Sequence, residues 1–276
     1  FLVSSRPMLV VGQLQCTVAR RVSGAIRRLE ESVVVLSEQL ATCGNAPCHF
    51  DEALIGIGEQ EAYKPDYIIY IGDTLVSKRA KHFLQHCHPK SCVVVNASGE
   101  LTDVTMNVTD VVVCPVEDAL DSLCEKLESG DVALGNEASA FRGRWAMALD
   151  EWAIRCKVFE PAYSQMMAVR RLCEQTNGQE CHMQFANSSA VRLGQLYSSH
   201  HLYVNRGVNG IEGSLSTAVG FGSEKAVTVY CVIGDLSFFY DQNALWNGVG
   251  KRHLRMVVLN NGGGGIFHRL RGLEQS

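Results

Sequence analysis

Two short segments of this sequence place hard oxygen donors beside glycines. Gly234-Asp235-Leu236-Ser237 follows the apolar run Val227–Ile233, and Asn260-Asn261 with Gly262–Gly265 follows Met256–Leu259. Asp235 and Asn261 lie 26 positions apart, room for one helix and a returning parallel strand, so the two side chains can meet above adjacent strands. An aspartate, an amide oxygen and approachable backbone carbonyls suit Mg²⁺ or Ca²⁺ and not zinc. Mg²⁺ keeps few protein ligands and completes its shell with water and ligand phosphates. Gly234 and the run Gly262–Gly265 let backbone approach a phosphate closely, and Ser237 and its neighbours open a helix whose free N–H groups favour anions. Each motif alone reads as a turn between strand and helix. The pair, each member following a buried strand, reads as a site for a diphosphate bridged by Mg²⁺.

These residues need strands to carry them. Val- and Ile-rich runs without polar alternation occur at Met8–Val11, Val33–Leu36, Tyr67–Ile71, Cys92–Val95 and Val111–Cys114, with helical patterns at Thr17–Leu29, Leu75–Gln85 and Glu117–Leu127. Such runs predict strands buried on both faces in a parallel sheet covered by helices. Glu128–Gly143 is rich in small residues, and Arg144–Val158 carries Trp145, Leu149, Trp152 and Ile154 on one helical face. A domain boundary is expected near residue 157. Beyond it the alternation restarts, with helices over Tyr163–Glu174, Ser188–Ser199 and Gly213–Gly222 and strands over His182–Ala186, Leu202–Val204, Ala226–Ile233 and Leu254–Leu259. The prediction is two three-layer α/β/α domains with mainly parallel sheets, 1–157 and 158–276, in which ligands bind beyond the carboxyl ends of the strands.

The 276 residues are 46% hydrophobic and 20% charged, a globular composition. A net charge of −4 argues against a general nucleic-acid-binding surface, and no apolar run approaches the ~20 residues that span a bilayer. The opening stretch lacks the charged end and apolar block of a secretory leader. Eleven cysteines without a CxxC pair read as reduced thiols in a cytoplasmic protein. Asn205-Arg206-Gly207-Val208-Asn209-Gly210-Ile211-Glu212-Gly213 is not a dinucleotide fingerprint, and no Walker A pattern occurs. His82 and His86 stand at a spacing that can bind zinc, with Cys87, His88 and Cys92 nearby, but a solvated helix end is the simpler reading.

GD-x-S followed by NN resembles the thiamine-diphosphate motif. The fuller strings NRGVNGIEGSLSTA, GDLSFFYDQNALWN and LNNGGGGIF resemble the menaquinone-pathway synthases that make 2-succinyl-5-enolpyruvyl-6-hydroxy-3-cyclohexene-1-carboxylate, and Gly72–Arg79 resembles their GxxLxxKR segment. The resemblance spans nearly the whole chain and is strongest from Asn187 to Leu270. It implies a central domain, part of a diphosphate-binding domain, and a cytoplasmic transferase that uses thiamine diphosphate with Mg²⁺ or Mn²⁺. By that match Asp235, Asn261 and the Gly263 carbonyl hold the metal, Gly234, Leu236, Ser237 and Asn209 border the cofactor, and Ile211 supports its bent shape. The implied reaction decarboxylates 2-oxoglutarate and adds the succinyl-semialdehyde carbanion equivalent to isochorismate. Ser188, Arg192, Arg206, Lys78 and Arg79 are the implied contacts to substrate carboxylates, with Ile266, Phe267 and Leu270 as an apolar wall. Without the resemblance, the cations read as solvated or paired and the apolar residues as core.

The resemblance further implies a homodimer or homotetramer with active sites between subunits, and a pyrimidine-binding domain that supplies an activating glutamate. Neither that domain nor a complete diphosphate domain is found in the sequence, so this chain alone is expected to be inactive. Two other readings stay open: another thiamine-diphosphate 2-oxoacid enzyme, such as an acetohydroxyacid synthase or decarboxylase, and a non-catalytic fragment.

Overall fold

A computed structural model describes all residues except 44–45, 131, 207–209, 225–226, 247–252 and 266–276. The chain divides into two compact units, Phe1–Phe159 and Glu160–Ser276.

The first unit runs β1 (Pro7–Val11), α1 (Cys16–Glu30), β2 (Val34–Ser37), α2 (Phe50–Ile57), a 3₁₀ turn (Glu61–Tyr63), β3 (Tyr67–Ile71), α3 (Lys78–Gln85), β4 (Ser91–Asn96), β5 (Asp110–Val113), α4 (Val116–Glu128) and α5 (Asn136–Val158). Its five strands are all parallel, in the order β2-β1-β3-β4-β5. Alternate residues face opposite layers, as the pleat dictates. Met8, Val10, Ile68 and Tyr70 meet side chains of α2, α3 and α5. Leu9, Val11, Ile69 and Ile71 meet those of α1 and α4. In α1 the buried Ala19, Val22, Ile26 and Leu29 recur every three or four residues, which makes one apolar stripe.

The second unit runs α6 (Gln165–Thr176), β6 (Cys181–Phe185), α7 (Ser189–Tyr197), β7 (Leu202–Tyr203), α8 (Ser214–Glu224), β8 (Thr228–Gly234), α9 (Asp235–Asp241), a 3₁₀ turn (Gln242–Leu245) and β9 (Leu254–Leu259). Its described strands are also parallel, in the order β7-β6-β8-β9. Both units are therefore α/β with parallel sheets, as the apolar runs predict.

Three expectations need correction. The helix expected over Arg144–Val158 starts earlier: residues 136–143 are the first turns of the 23-residue α5, with Ala138 and Phe141 buried on the same helix as Trp145. Trp145 Nε1 donates to the Tyr63 carbonyl at 3.1 Å, and its ring meets Tyr63 and Phe83 edge-on. Ile154 does not share that packed face; it is exposed. The runs at β5 and β9 are not buried on both faces, because each is the last strand of its described sheet; Val112 and Val113, and Met256 and Val258, are exposed. α2 is an element that the sequence reading lacks altogether.

Candidate functional site

In open parallel sheets the crevice forms where the strand order reverses. In the second unit that point lies between β6 and β8. A cleft of about 150 Å³ opens there, lined by Asn187, Ser188 and Ser189 after β6, by Gly234–Ser237 after β8, by Asn261 and Gly263–Gly265 after β9, and by Ile211.

The ladder sets the geometry. Gly234 pairs with Leu259, so Asp235 and Asn261 leave neighbouring parallel strands at nearly the same level. Asp235 opens α9 and is 9% exposed. Its Oδ1 accepts from Leu236 N at 2.9 Å and its Oδ2 from Gly262 N at 3.1 Å. The second bond ties the aspartate directly to the turn that carries Asn261. There, Asn260 Oδ1 accepts from Gly262 N at 2.9 Å and Asn261 Oδ1 from Gly263 N at 3.3 Å. No described lysine or arginine pairs with the Asp235 carboxylate.

Two glycines differ in why they are glycine. Gly262 has φ +73°, a conformation that side chains rarely adopt. Gly234 has φ −72° and ψ 157°, which any residue adopts, and a Cβ there would meet nothing within 4 Å. Packing among the described residues does not require Gly234; the space it leaves belongs to the cleft.

The remaining walls are braced from behind. Asp241, at the end of α9, accepts from Ser216 N at 2.7 Å and from the Ser216 hydroxyl, which locks α9 to α8. Ser237 donates its hydroxyl to the Ile211 carbonyl, fixing the loop that presents Ile211. Glu212 accepts from Ile211 N at 2.8 Å. Burial and the negative charge of Asp241 push the Cys231 thiol in β8 up to about 12.

Ser188 adopts φ +71° with ψ −130° immediately before α7, a costly backbone for a non-glycine residue and one that clusters at ligand sites. Asn187 beside it donates to the Asn205 carbonyl at 2.9 Å and the Gly210 carbonyl at 2.7 Å, and accepts from Arg206 Nη1 at 3.0 Å. Asn187 is not among the site residues expected from the sequence. Its position after a parallel strand is the signal that could have found it.

Of the expected residues, Ser188, Ile211, Gly234, Asp235, Leu236, Ser237, Asn261 and Gly263 converge on this cleft. Arg206 reaches its border through Asn187. Arg192 is exposed on α7 and does not line it. Lys78 is exposed at the start of α3 in the first unit, and Arg79 there donates to the Asp51 carbonyl at 2.6 Å and carboxylate at 2.7 Å. Asn209, Ile266, Phe267 and Leu270 lie outside the described residues.

The donor set fits a hard divalent ion: a carboxylate, a side-chain amide oxygen and a backbone carbonyl. Among the described residues no lysine or arginine lines the cleft, so a cation held by Asp235 would offset the charge of a polyanion bound there. The cleft is small beside the ~300–1,000 Å³ typical of a whole small-molecule site, and accommodates one end of a ligand.

Two parallel α/β units with such a cleft at a switch point have the thiamine-diphosphate-binding type of fold. No family model matches the chain. It is 39% identical to the 2-succinyl-5-enolpyruvyl-6-hydroxy-3-cyclohexene-1-carboxylate synthase of Bacteroides fragilis over 83% of this chain and 40% of that protein. It is 33% identical to the synthase of the same name from Phocaeicola vulgatus over 99% of this chain and 48% of that protein, and 44% identical to that of Christiangramia forsetii over 42% and 21%. The chain is a homologue of a segment of these synthases and spans less than half of their length.

Proposed function

We propose that this chain supplies the diphosphate-binding site of a thiamine-diphosphate- and Mg²⁺-dependent transferase that joins 2-oxoglutarate, with loss of carbon dioxide, to isochorismate and so makes 2-succinyl-5-enolpyruvyl-6-hydroxy-3-cyclohexene-1-carboxylate. The observation that carries this reading is the meeting of Asp235, Asn261 and Gly263 in one cleft, whose described lining holds no lysine or arginine. The relatives' names supply the reaction.

In this reading residues 1–157 are the central domain and 158–276 the diphosphate domain. Asp235, Asn261 and the Gly263 carbonyl hold Mg²⁺, or Mn²⁺ in its place, and Gly234 keeps space for the diphosphate. When bound, thiamine diphosphate supplies the electron sink for decarboxylation. Ile211 provides an apolar support, held in place by Ser237. Ser188 and Arg206 orient carboxylates at the cleft, and Arg192, Lys78 and Arg79 share that role in the assembled enzyme. Ile266, Phe267 and Leu270 wall the substrates. The whole protein works as a homo-oligomer in the cytoplasm.

Titration calorimetry of the chain with inorganic diphosphate, with and without Mg²⁺, tests the site. Binding should require Mg²⁺ and weaken at least tenfold in Asp235→Ala; equal affinity in the variant would overturn the assignment. The chemical half is tested in the protein that carries this chain, by carbon dioxide release from 2-oxoglutarate in the presence of isochorismate. Release from pyruvate alone would transfer the reading to the acetohydroxyacid synthase type.

A further inference from the structure

A second constellation lies in the first unit, where α2 packs against α5. His49 caps α2, Glu52 stands in its first turn, and Cys156 lies in the last turn of α5. The imidazole nitrogen, carboxylate oxygen and thiol sulfur all lie within 4.8 Å of one another. The His49 side chain is 10% exposed, and its Nδ1 is buried without a hydrogen-bond partner, 3.5 Å from Glu52 Oε2. A buried imidazole nitrogen left unpaired is costly, so its orientation toward a carboxylate and a thiol calls for a physical reason. None of the three residues lines the cleft after β6, β8 and β9.

From this geometry we infer that His49, Glu52 and Cys156 form a zinc site. Nitrogen, sulfur and oxygen donors in a group of three match zinc ligation, with a water in the fourth position. The sulfur argues against Mg²⁺ and Ca²⁺. Tetrahedral zinc sets its ligand atoms about 3.3–3.8 Å apart, so small side-chain rotations bring the three atoms into range. Burial and the charge of Glu52 push the metal-free Cys156 thiol up to about 11. The ion binds the thiolate, and the displaced proton passes to solvent. The bound ion would pin the end of α5 to the start of α2.

The test uses the 276-residue chain as it exists. Cobalt(II) stands in for zinc as a spectroscopic probe. One equivalent should give a thiolate charge-transfer band that added zinc abolishes, that Cys156→Ala lacks, and that needs at least tenfold more cobalt in Glu52→Gln. A band of full strength in Cys156→Ala would overturn the proposal. A second readout needs no substitution: zinc should slow iodoacetamide labelling of Cys156 at least tenfold in the wild-type chain, read by mass spectrometry. Labelling at the same rate with and without zinc would also overturn it.

Discussion

The two sheets begin with the same strand order, yet their switch points have opposite character. In the first unit the loops after β1 and β3 are bolted together. Gly12 N donates to the Ile71 carbonyl at 2.9 Å, Gln13 N to Thr74 at 3.2 Å, and Asp73 N back to Gln13 at 2.8 Å. The Tyr70 hydroxyl adds a bond to the Asp73 carbonyl. A Cβ on Gly12 would sit 2.1 Å from the Asp73 carbonyl oxygen, and Gly72, at φ +80°, would meet Gln13. The cleft of about 320 Å³ beside this bolt presents Asp73, Glu100 and Glu117 and, among the described residues, no lysine or arginine. In the second unit the described bonds between the corresponding loops are fewer: Ala186 N donates to the Val232 carbonyl at 2.8 Å, but Asn187 bonds to Asn205 and Gly210 instead, and a Cβ on Gly234 would meet nothing within 4 Å. The same topology thus gives a closed joint where glycine serves packing and, in the function proposed above, an open cradle where glycine leaves room for a ligand.

The largest test of this contrast is Gly12→Ala. The clash is with backbone, which cannot rotate aside, so stability should fall by about 3 kcal/mol, read as a lower urea midpoint; a loss below about 1 kcal/mol would break the comparison. Gly234→Ala should do the reverse. Its urea midpoint should stay within about 0.5 kcal/mol of wild type, while Mg²⁺-dependent diphosphate binding weakens about tenfold, or about 1.4 kcal/mol. Unchanged binding would mean that the open space has no use.

The smallest effect probes whether the difference is confined to the loops. Both units bury thiols pushed up to about 12, Cys87 in the first and Cys173 and Cys231 in the second. A folded-state value raised above the unfolded one means that the native state holds its proton longer. Stability is then fully present below the unfolded value and is lost as pH rises through the folded one. Cys231→Val should therefore reduce the stability lost between pH 8 and pH 9.5 by about 0.8 kcal/mol, measured as the change in urea midpoint. An unaltered alkaline slope would remove Cys231 from the account.

What the sequence made legible was local. β9 matches its predicted span, Leu254–Leu259, and the Asp235/Asn261 pairing followed from strand ends and spacing alone. The bolt at Gly12 was hidden because it depends on which strands become neighbours. The start of α5 was hidden because Ala138, Ser139 and Gly143 resemble a linker until Phe141 and Trp145 find their core. Ser188 was named by the family resemblance, but its left-handed backbone had no sequence signature. The three candidate zinc ligands are equally illegible, since Cys156 stands more than a hundred positions from His49.

β9 has one further consequence. It pairs only with β8 among the described residues, so its outer amide and carbonyl groups, with Met256 and Val258 beside them, offer a template on which another extended segment can grow. Where no other segment covers that flank, strand addition by a second copy is the expected route of self-association as concentration rises.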